Sequence, residues 1–159
     1  MNNKLFLDLD GTIAKFNVRN ALERFDKEKG FFAKLGAYKG IESVNKLCKQ
    51  GNVYVISASP NEQADLDKLS WLEQYLPNLP KENITFCRLG ENKAKVIENK
   101  YKISISKECF LLDDYGENLI EWCAAGGTPI KRITSVAPNK RKRFDLVCKD
   151  LCKLGMLIA

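Results

Sequence analysis

Five short apolar runs, KLFLDLD, NVYVISA, ITFCRL, ECFLLDD and TPIKRIT, recur along the chain and constrain its fold more than any other feature. Each has the length of a strand, is rich in Val, Ile, Leu and Phe, and is separated from the next by a segment that reads as helix. Strands alternating with helices predict an α/β fold built on a parallel sheet. Ile41, Val44, Asn45, Leu47 and Cys48 recur at helical spacing before Gly51 stops the turn, and Leu66, Leu69, Leu72 and Tyr75 do the same before Pro77. Lys93 to Tyr101 and Glu117 to Ala125 read as two further helices, the latter closed by Gly126 and Gly127. A length of 159 residues, with no internal repeat or low-complexity linker, suits one domain over residues 1–159 that buries a sizeable core unaided.

One segment breaks the rhythm. Nearly thirty residues separate Gly11 from Gly40, too many for a simple strand-to-helix loop. Its Leu22, Phe25 and Phe32 can form an apolar face, so residues 14–39 read as a small helical cap inserted above the end of the first strand. Ligands of open parallel sheets bind at the carboxyl ends of the strands, where such an insertion can act as a lid.

The first run ends in two acids. Residues two apart along a strand share a side, so Asp8 and Asp10 fall together while Leu7 and Leu9 face the other way. The run ECFLLDD also ends in acids, Asp113 and Asp114, and parallel strands finish on one edge, so up to four carboxylates converge there. Like charges that close raise one another's pKa values, and a hard divalent cation with oxygen ligands relieves them, Mg²⁺ above all. Ser57, followed by Ala58, Ser59 and Pro60, brings a hydroxyl and backbone N–H groups to the same edge, near a helix start that suits an anion. Ser57 alone would equally be a helix N-cap. GENKAKVI then opens a later helix, from which Lys93 or Lys95 could reach a phosphate or a carboxylate.

The formal charge of +6 is compatible with nucleic acid, an anionic small substrate or nothing specific. Much of the surplus lies near the end, where Lys140, Arg141, Lys142, Arg143, Lys149 and Lys153 face only Asp145 and Asp150; a solvated helical face accounts for them. The chain has six cysteines, no CxxC pair and no histidine to complete a zinc site, so the thiols read as reduced and mostly buried. No apolar run reaches membrane-spanning length and no signal-peptide core is visible, from which a cytoplasmic protein without membrane contact is expected.

DLDGT at Asp8 to Thr12, Ser57 after a strand, a lysine opening a later helix and LLDDYGEN at Leu111 to Asn118 together resemble the four motifs of the haloacid dehalogenase superfamily of phosphotransferases. The order and spacing match as far as Thr134. More narrowly, LLDDYGENLIEWCAAGGTPIK and the short insertion resemble the deoxyribonucleotidase branch, 5′-nucleotidases that favour deoxypyrimidine monophosphates. The resemblance implies a three-layer Rossmann-like fold and a phosphoric monoester hydrolase. It makes Asp8 the nucleophile that becomes a transient aspartyl phosphate and Asp10 the general acid and base. It implies that Mg²⁺ is held by Asp8, the Asp10 backbone carbonyl and Asp114, with Asp113 and Asn118 in the outer shell. Ser57, Ala58 and a lysine would hold the phosphoryl oxygens, and Lys93 suits better than Lys95 because the family's lysine follows closely on a glycine turn, here Gly90. Gly11 and Thr12 bring the backbone close to the phosphate, and Phe16 stands where the branch carries an aromatic against the base, with Phe31, Phe32 and Tyr38 as added stacking surface or as packing for the insertion.

The expected substrate is therefore a small phosphate ester, a mononucleotide first. A phosphatase acting on nucleic-acid ends is a second reading, motivated by the basic residues Lys140 to Arg143. A phosphate-binding scaffold without turnover is a third, opposed by the intact set of Asp8, Asp10, Ser57, Lys93, Asp113 and Asp114.

Overall fold

The structure, a computed structural model, describes residues 3–16, 29–134 and 144–159. The expected runs form strands β1 (Lys4–Leu7), β2 (Val53–Ser59), β3 (Ile84–Arg88), β4 (Cys109–Asp113) and β5 (Thr128–Arg132), interleaved with helices α1 (Ile41–Cys48), α2 (Glu62–Tyr75), α3 (Lys93–Tyr101) and α4 (Gly116–Ala124). The chain closes with a two-residue strand β6 (Val147–Cys148) and a last helical turn α5 (Leu154–Leu157). All described strand pairs are parallel, in the order β3-β2-β1-β4-β5-β6.

Side chains of period two send alternate residues to opposite faces of this sheet. Leu5, Leu7 and Leu9 join Val53, Val55 and Leu112 in one buried cluster, sealed by Val44 and Cys48 of α1 and Trp71 and Leu72 of α2. Phe6, Ile56 and Leu111 face the other way, into a cluster with Ala94 and Ile97 of α3 and Leu119 and Trp122 of α4. The result is a three-layer α/β domain of Rossmann-like form, as the alternating runs predict. Leu7 pairs with Val55 on one side and Leu112 on the other, so the residues just beyond β1 meet the ends of β2 and β4.

Three features depart from the sequence reading. The face of α2 is rotated: Leu66 is 59% exposed, and the residues turned inward are Ala64, Asp67, Lys68, Trp71 and Leu72. The apolar positions three apart drift around a helix of 3.6 residues per turn, and two charged side chains take the inward place because each meets a polar partner there. The described part of the final segment, residues 144–159, is not one helical face but strand, 3₁₀ turn and short helix, with Lys149 and Lys153 exposed. β2 runs to Ser59, two residues past Ser57. The helix after it is capped by Asn61, whose side chain accepts from the Ala64 N–H at 2.9 Å, so Ser57 is not an N-cap.

Leu22 and Phe25 of the insertion and the basic residues Lys140 to Arg143 lie outside the described residues. The insertion's flanks bridge at Ala14 and Ala37, and a 3₁₀ turn spans Phe32–Lys34. All six cysteines are free thiols, Cys48, Cys87, Cys109 and Cys148 buried and Cys123 and Cys152 exposed. Among the described residues no helix is long and apolar enough to cross a membrane.

Leu111 is fully buried between the sheet and α3 and α4. Leu111→Ala should lower unfolding stability by about 2–5 kcal/mol, read from urea denaturation as a reduced midpoint with an unchanged slope.

Candidate active site

The acids gather because two strands end level. Beyond the Leu7 and Leu112 pair, the Asp8 N–H donates to the Leu112 carbonyl at 2.9 Å, which sets Asp8 beside the end of β4 and its Asp113. The chain then reverses at Gly11, whose φ of +78° falls in the left-handed region that glycine enters without penalty. A Cβ there would come within 2.4 Å of Asp114 Oδ2, so the space this glycine frees is filled by a carboxylate. The reversal returns Thr12, fully buried, to the cluster. Its hydroxyl donates to Asp8 Oδ2 at 2.9 Å and accepts from the Asp114 N–H at 3.2 Å. Arg132 of β5 fixes the loop from behind, its Nε donating to the Thr12 carbonyl at 2.8 Å.

Two buried lysines enter from opposite sides. Lys93, the first residue of α3 and 2% exposed, donates to Asp8 Oδ1 at 2.7 Å and to Asp113 Oδ2 at 2.8 Å. Burial opposes its ammonium, but the Asp8 and Asp113 carboxylates more than offset this and hold its pKa above the ordinary lysine value. Lys95 is exposed, and among the described residues it engages through its backbone, its N–H capped by Asn92 at 3.2 Å. Lys68 of α2, 1% exposed, contacts Asp10 Oδ2 at 2.6 Å, Ser57 Oγ at 3.0 Å and the Ala58 carbonyl at 2.7 Å. Ser57 is thereby joined to the acids through a shared cation, and Ala58 presents its carbonyl to that cation.

The four carboxylates have different surroundings. Asp113, fully buried, is saturated: Oδ1 accepts from the Tyr115 N–H at 2.8 Å, and Oδ2 from Asn118 at 2.9 Å as well as from Lys93. Burial, with Asp8 adding to it, pushes its pKa up to about 6 against the opposing pull of Lys93. Asp10 is also raised, by burial first and then by Asp8, with Lys68 opposing. Its Oδ1 is buried and finds no hydrogen-bond partner among the described residues. Asp114 is exposed. One oxygen each from Asp8, Asp113 and Asp114 lie within 4.8 Å of one another. Four carboxylates against the two lysines paired to them leave two negative charges unmatched, which a divalent cation with oxygen ligands fits in charge and in donor type.

The model of the family described as 5′ nucleotidase, deoxy (pyrimidine), cytosolic type C protein matches residues 7–126, which hold all of these groups. The chain belongs to that family. It is a phosphoric monoester hydrolase of the haloacid dehalogenase superfamily. A search of curated proteins finds no match to the chain. Among solved structures it is similar to a D,D-heptose 1,7-bisphosphate phosphatase from B. bronchiseptica complexed with magnesium and phosphate, at 16% identity over 94% of each chain and a TM-score of 0.67. It is also similar to a haloacid dehalogenase hydrolase of family IA, variant 3, from Entamoeba histolytica, at 12% identity over 98% of this chain and 97% of that one, TM-score 0.69. A third is a hydrolase of the same superfamily from Deinococcus radiodurans with bound phosphate and sodium, at 14% identity over 96% and 93%, TM-score 0.66. At these identities the likeness is one of fold.

Of the site residues expected for a haloacid dehalogenase phosphatase, Asp8, Asp10, Gly11, Thr12, Ser57, Ala58, Lys93, Asp113 and Asp114 meet at one edge of the sheet. Phe16 stands with Phe31 and Phe32 in an aromatic cluster, its ring centroid 6.3 Å and 6.1 Å from theirs. Phe32 is buried, whereas Phe16 and Phe31 are half-buried. Tyr38 does not join them, its ring instead lying 5.1 Å from the Arg132 guanidinium, where it packs the insertion's return. Lys68 is the one group of the cluster that the motifs do not reveal. Its signal is positional: it lies four residues from Ala64 and four from Leu72, on the inward stripe of α2.

Gly11→Ala should cut phosphatase activity about a hundredfold, since a misplacement of order 1 Å costs that much and Asp114 must shift to admit the Cβ. Steady-state kinetics beside a circular-dichroism melt will check it, the activity loss exceeding anything the melting shift implies.

Proposed function

We propose that this phosphatase is a Mg²⁺-dependent phosphomonoesterase of nucleoside monophosphates, deoxyribonucleotides first among them, acting through an aspartyl phosphate on Asp8. The observation that carries the reading is the pairing of two unlike acids. Asp8 has both oxygens engaged, by Lys93 and Thr12, while Asp10 holds one oxygen on Lys68 and keeps the other without a partner among the described residues. The first arrangement fixes a nucleophile and the second leaves a site for a proton.

In the first half-reaction a carboxylate oxygen of Asp8 attacks phosphorus, the ester P–O bond breaks, and the proton of Asp10 passes to the leaving alkoxide. In the second, Asp10 takes a proton from water, the resulting hydroxide attacks phosphorus, and the bond to Asp8 breaks to release inorganic phosphate and restore the carboxylate. Burial and Asp8 raise the Asp10 pKa, which keeps it able to serve in both directions. Lys93 and the Ser57 hydroxyl supply positive charge and a donor to the phosphoryl oxygens, so most of the rate gain is positioning and electrostatic. Mg²⁺, held by Asp8, the Asp10 carbonyl and Asp114, would supply charge that balances the acids and the phosphate; Asp113 and Asn118 orient Lys93 and the β4 end around it.

The substrate class rests on the family match and on the half-buried rings of Phe16 and Phe31, which belong to the cap that residues 14–39 form in this reading. The family's cytosolic description supports a cytoplasmic enzyme. One fold neighbour is named for a sugar bisphosphate, which makes sugar phosphates the competing small substrates.

Phosphate release is to be measured on 5′ and 3′ deoxy- and ribonucleotides, sugar phosphates and a 3′-phosphorylated oligonucleotide, with Mg²⁺ or EDTA. Selective turnover of deoxypyrimidine monophosphates, lost with EDTA and reduced about 10⁴-fold or more in Asp8→Asn, is expected. Phe16→Ala should raise KM about tenfold on these nucleotides, the worth of one stacked base, and leave a sugar phosphate unchanged. Preference for a sugar phosphate or for the oligonucleotide would overturn the substrate class.

A further inference from the structure

Arg132, at the end of β5, is 4% exposed and has no carboxylate at ion-pair distance among the described residues. Charges buried to that degree are ordinarily paired. Burial works against this one, and the nearest acids, Asp150 and Asp114, offset that only in part. Backbone holds it instead: Nε donates to the Thr12 carbonyl at 2.8 Å, and Nη1 to the Lys149 carbonyl at 2.8 Å and the Cys148 carbonyl at 3.3 Å. A guanidinium has five N–H donors. The two on Nη2 find no acceptor among the described residues.

Arg132 lines a cavity of about 450 Å³, within the size range of small-molecule sites. Tyr38 and Lys39, where the insertion returns, bound it on one side, and Lys149 and Asp150, just after β6, on another. Lys39 and Lys149 are exposed, and neither forms an ion pair among the described residues. Asp150 is engaged by its own turn, its Oδ1 accepting from the Cys152 N–H at 2.9 Å. Three cations against one acid leave two positive charges in surplus, the charge that a phosphate dianion matches. A guanidinium also suits phosphate in its donor geometry. The cavity is not the catalytic site: none of Asp8, Asp10, Asp113 and Asp114 lines it. Thr12, fully buried, stands between the two, its hydroxyl on Asp8 and its carbonyl on Arg132. We propose that this cavity is a second anion site, separate from the catalytic one, which binds the phosphate group of a small molecule through Arg132 Nη2, Lys39 and Lys149. Free phosphate and a phosphomonoester share that chemistry. The site does not depend on which ester the catalytic acids hydrolyse.

Two thiols supply the test. Cys152 lines the cavity, while Cys123, also exposed, lies on α4 outside it and serves as an internal reference. The enzyme with Mg²⁺ present is alkylated with iodoacetamide, and labelling of Cys152 relative to Cys123 is read by mass spectrometry. The additions compared are inorganic phosphate, a non-hydrolysable nucleoside 5′-methylenephosphonate, and chloride at equal ionic strength. One or both phosphorus anions should slow Cys152 labelling about tenfold at about ten times the dissociation constant, with Cys123 unchanged; the anion that protects at lower concentration identifies the source. Lys39→Glu combined with Lys149→Glu should abolish the protection and leave kcat/KM, and inhibition of turnover by phosphate, as in the wild type. Should the double variant melt early, Lys39→Gln and Lys149→Gln singly should each raise the protecting concentration about threefold, the worth of one exposed ion pair. Cys152 labelling indifferent to both anions in the wild type, protection that survives the charge reversal, or single variants with no rise would overturn the proposal.

Discussion

The ammonium of Lys93 between Asp8 and Asp113 is the interaction on which the rest of the structure depends. Three elements distant in sequence meet in it: the end of β1, the end of β4 and the first turn of α3. Removal of one member of such a buried ion pair costs about 3–5 kcal/mol, because it leaves the partner charge uncompensated. The sheet order makes the arrangement attainable, because β1 and β4 are neighbours in register and their last residues arrive side by side. The hydrogen bonds to Asp113 from Tyr115 and Asn118 then fix the start of α4 against the same point. A single charged contact thus determines where two strands stop and where two helices begin.

Helix α2 supplies the second support, and it couples the site to the insertion. Asp67 accepts from the Gly30 N–H at 2.9 Å, Lys68 faces Phe32, and the Trp71 indole donates to the Leu35 carbonyl at 2.8 Å. These anchors lie on the inward stripe of one helix, within two turns. The same stripe carries the cation that holds Asp10 and Ser57. A displacement of the insertion that moved Phe32 would therefore be felt at Lys68, next to the acids, without any contact between insertion and Asp10 being needed.

Much of this was legible from residues alone, for physical reasons that differ by element. The α/β class and the five longer strands follow from apolar runs with strand length, and the convergence of Asp8, Asp10, Asp113 and Asp114 follows from the parallel arrangement that alternation requires. Lys93 was distinguishable from Lys95 only by its distance from the Gly90 turn, and the structure shows why one works: position 93 opens α3 facing the sheet edge, while 95 has turned to solvent. β6, at two residues, is too short to carry a periodic signal. Lys68 was hidden because its helix reads as amphipathic on Leu66, Leu69 and Leu72, and a buried lysine breaks the rule by which inward faces are recognised. Only the site itself explains the exception: Asp10, Ser57 and Ala58 offer three oxygens where a leucine would offer none. The sequence likewise gives Gly11 as a turn beside the phosphate, whereas the space it frees is taken by Asp114.

The central claim is that the phosphoryl group passes through Asp8. Rapid quench of the enzyme with a ³²P-labelled deoxynucleoside monophosphate and Mg²⁺, followed by peptide mapping, tests it directly. The account predicts a hydroxylamine-labile label, stable to the acid quench, on the peptide that carries Asp8, formed at the rate of nucleoside release and drained at the rate of phosphate release. Steady phosphate release with no protein-bound label on the timescale of turnover, or a label on any other residue, would contradict it.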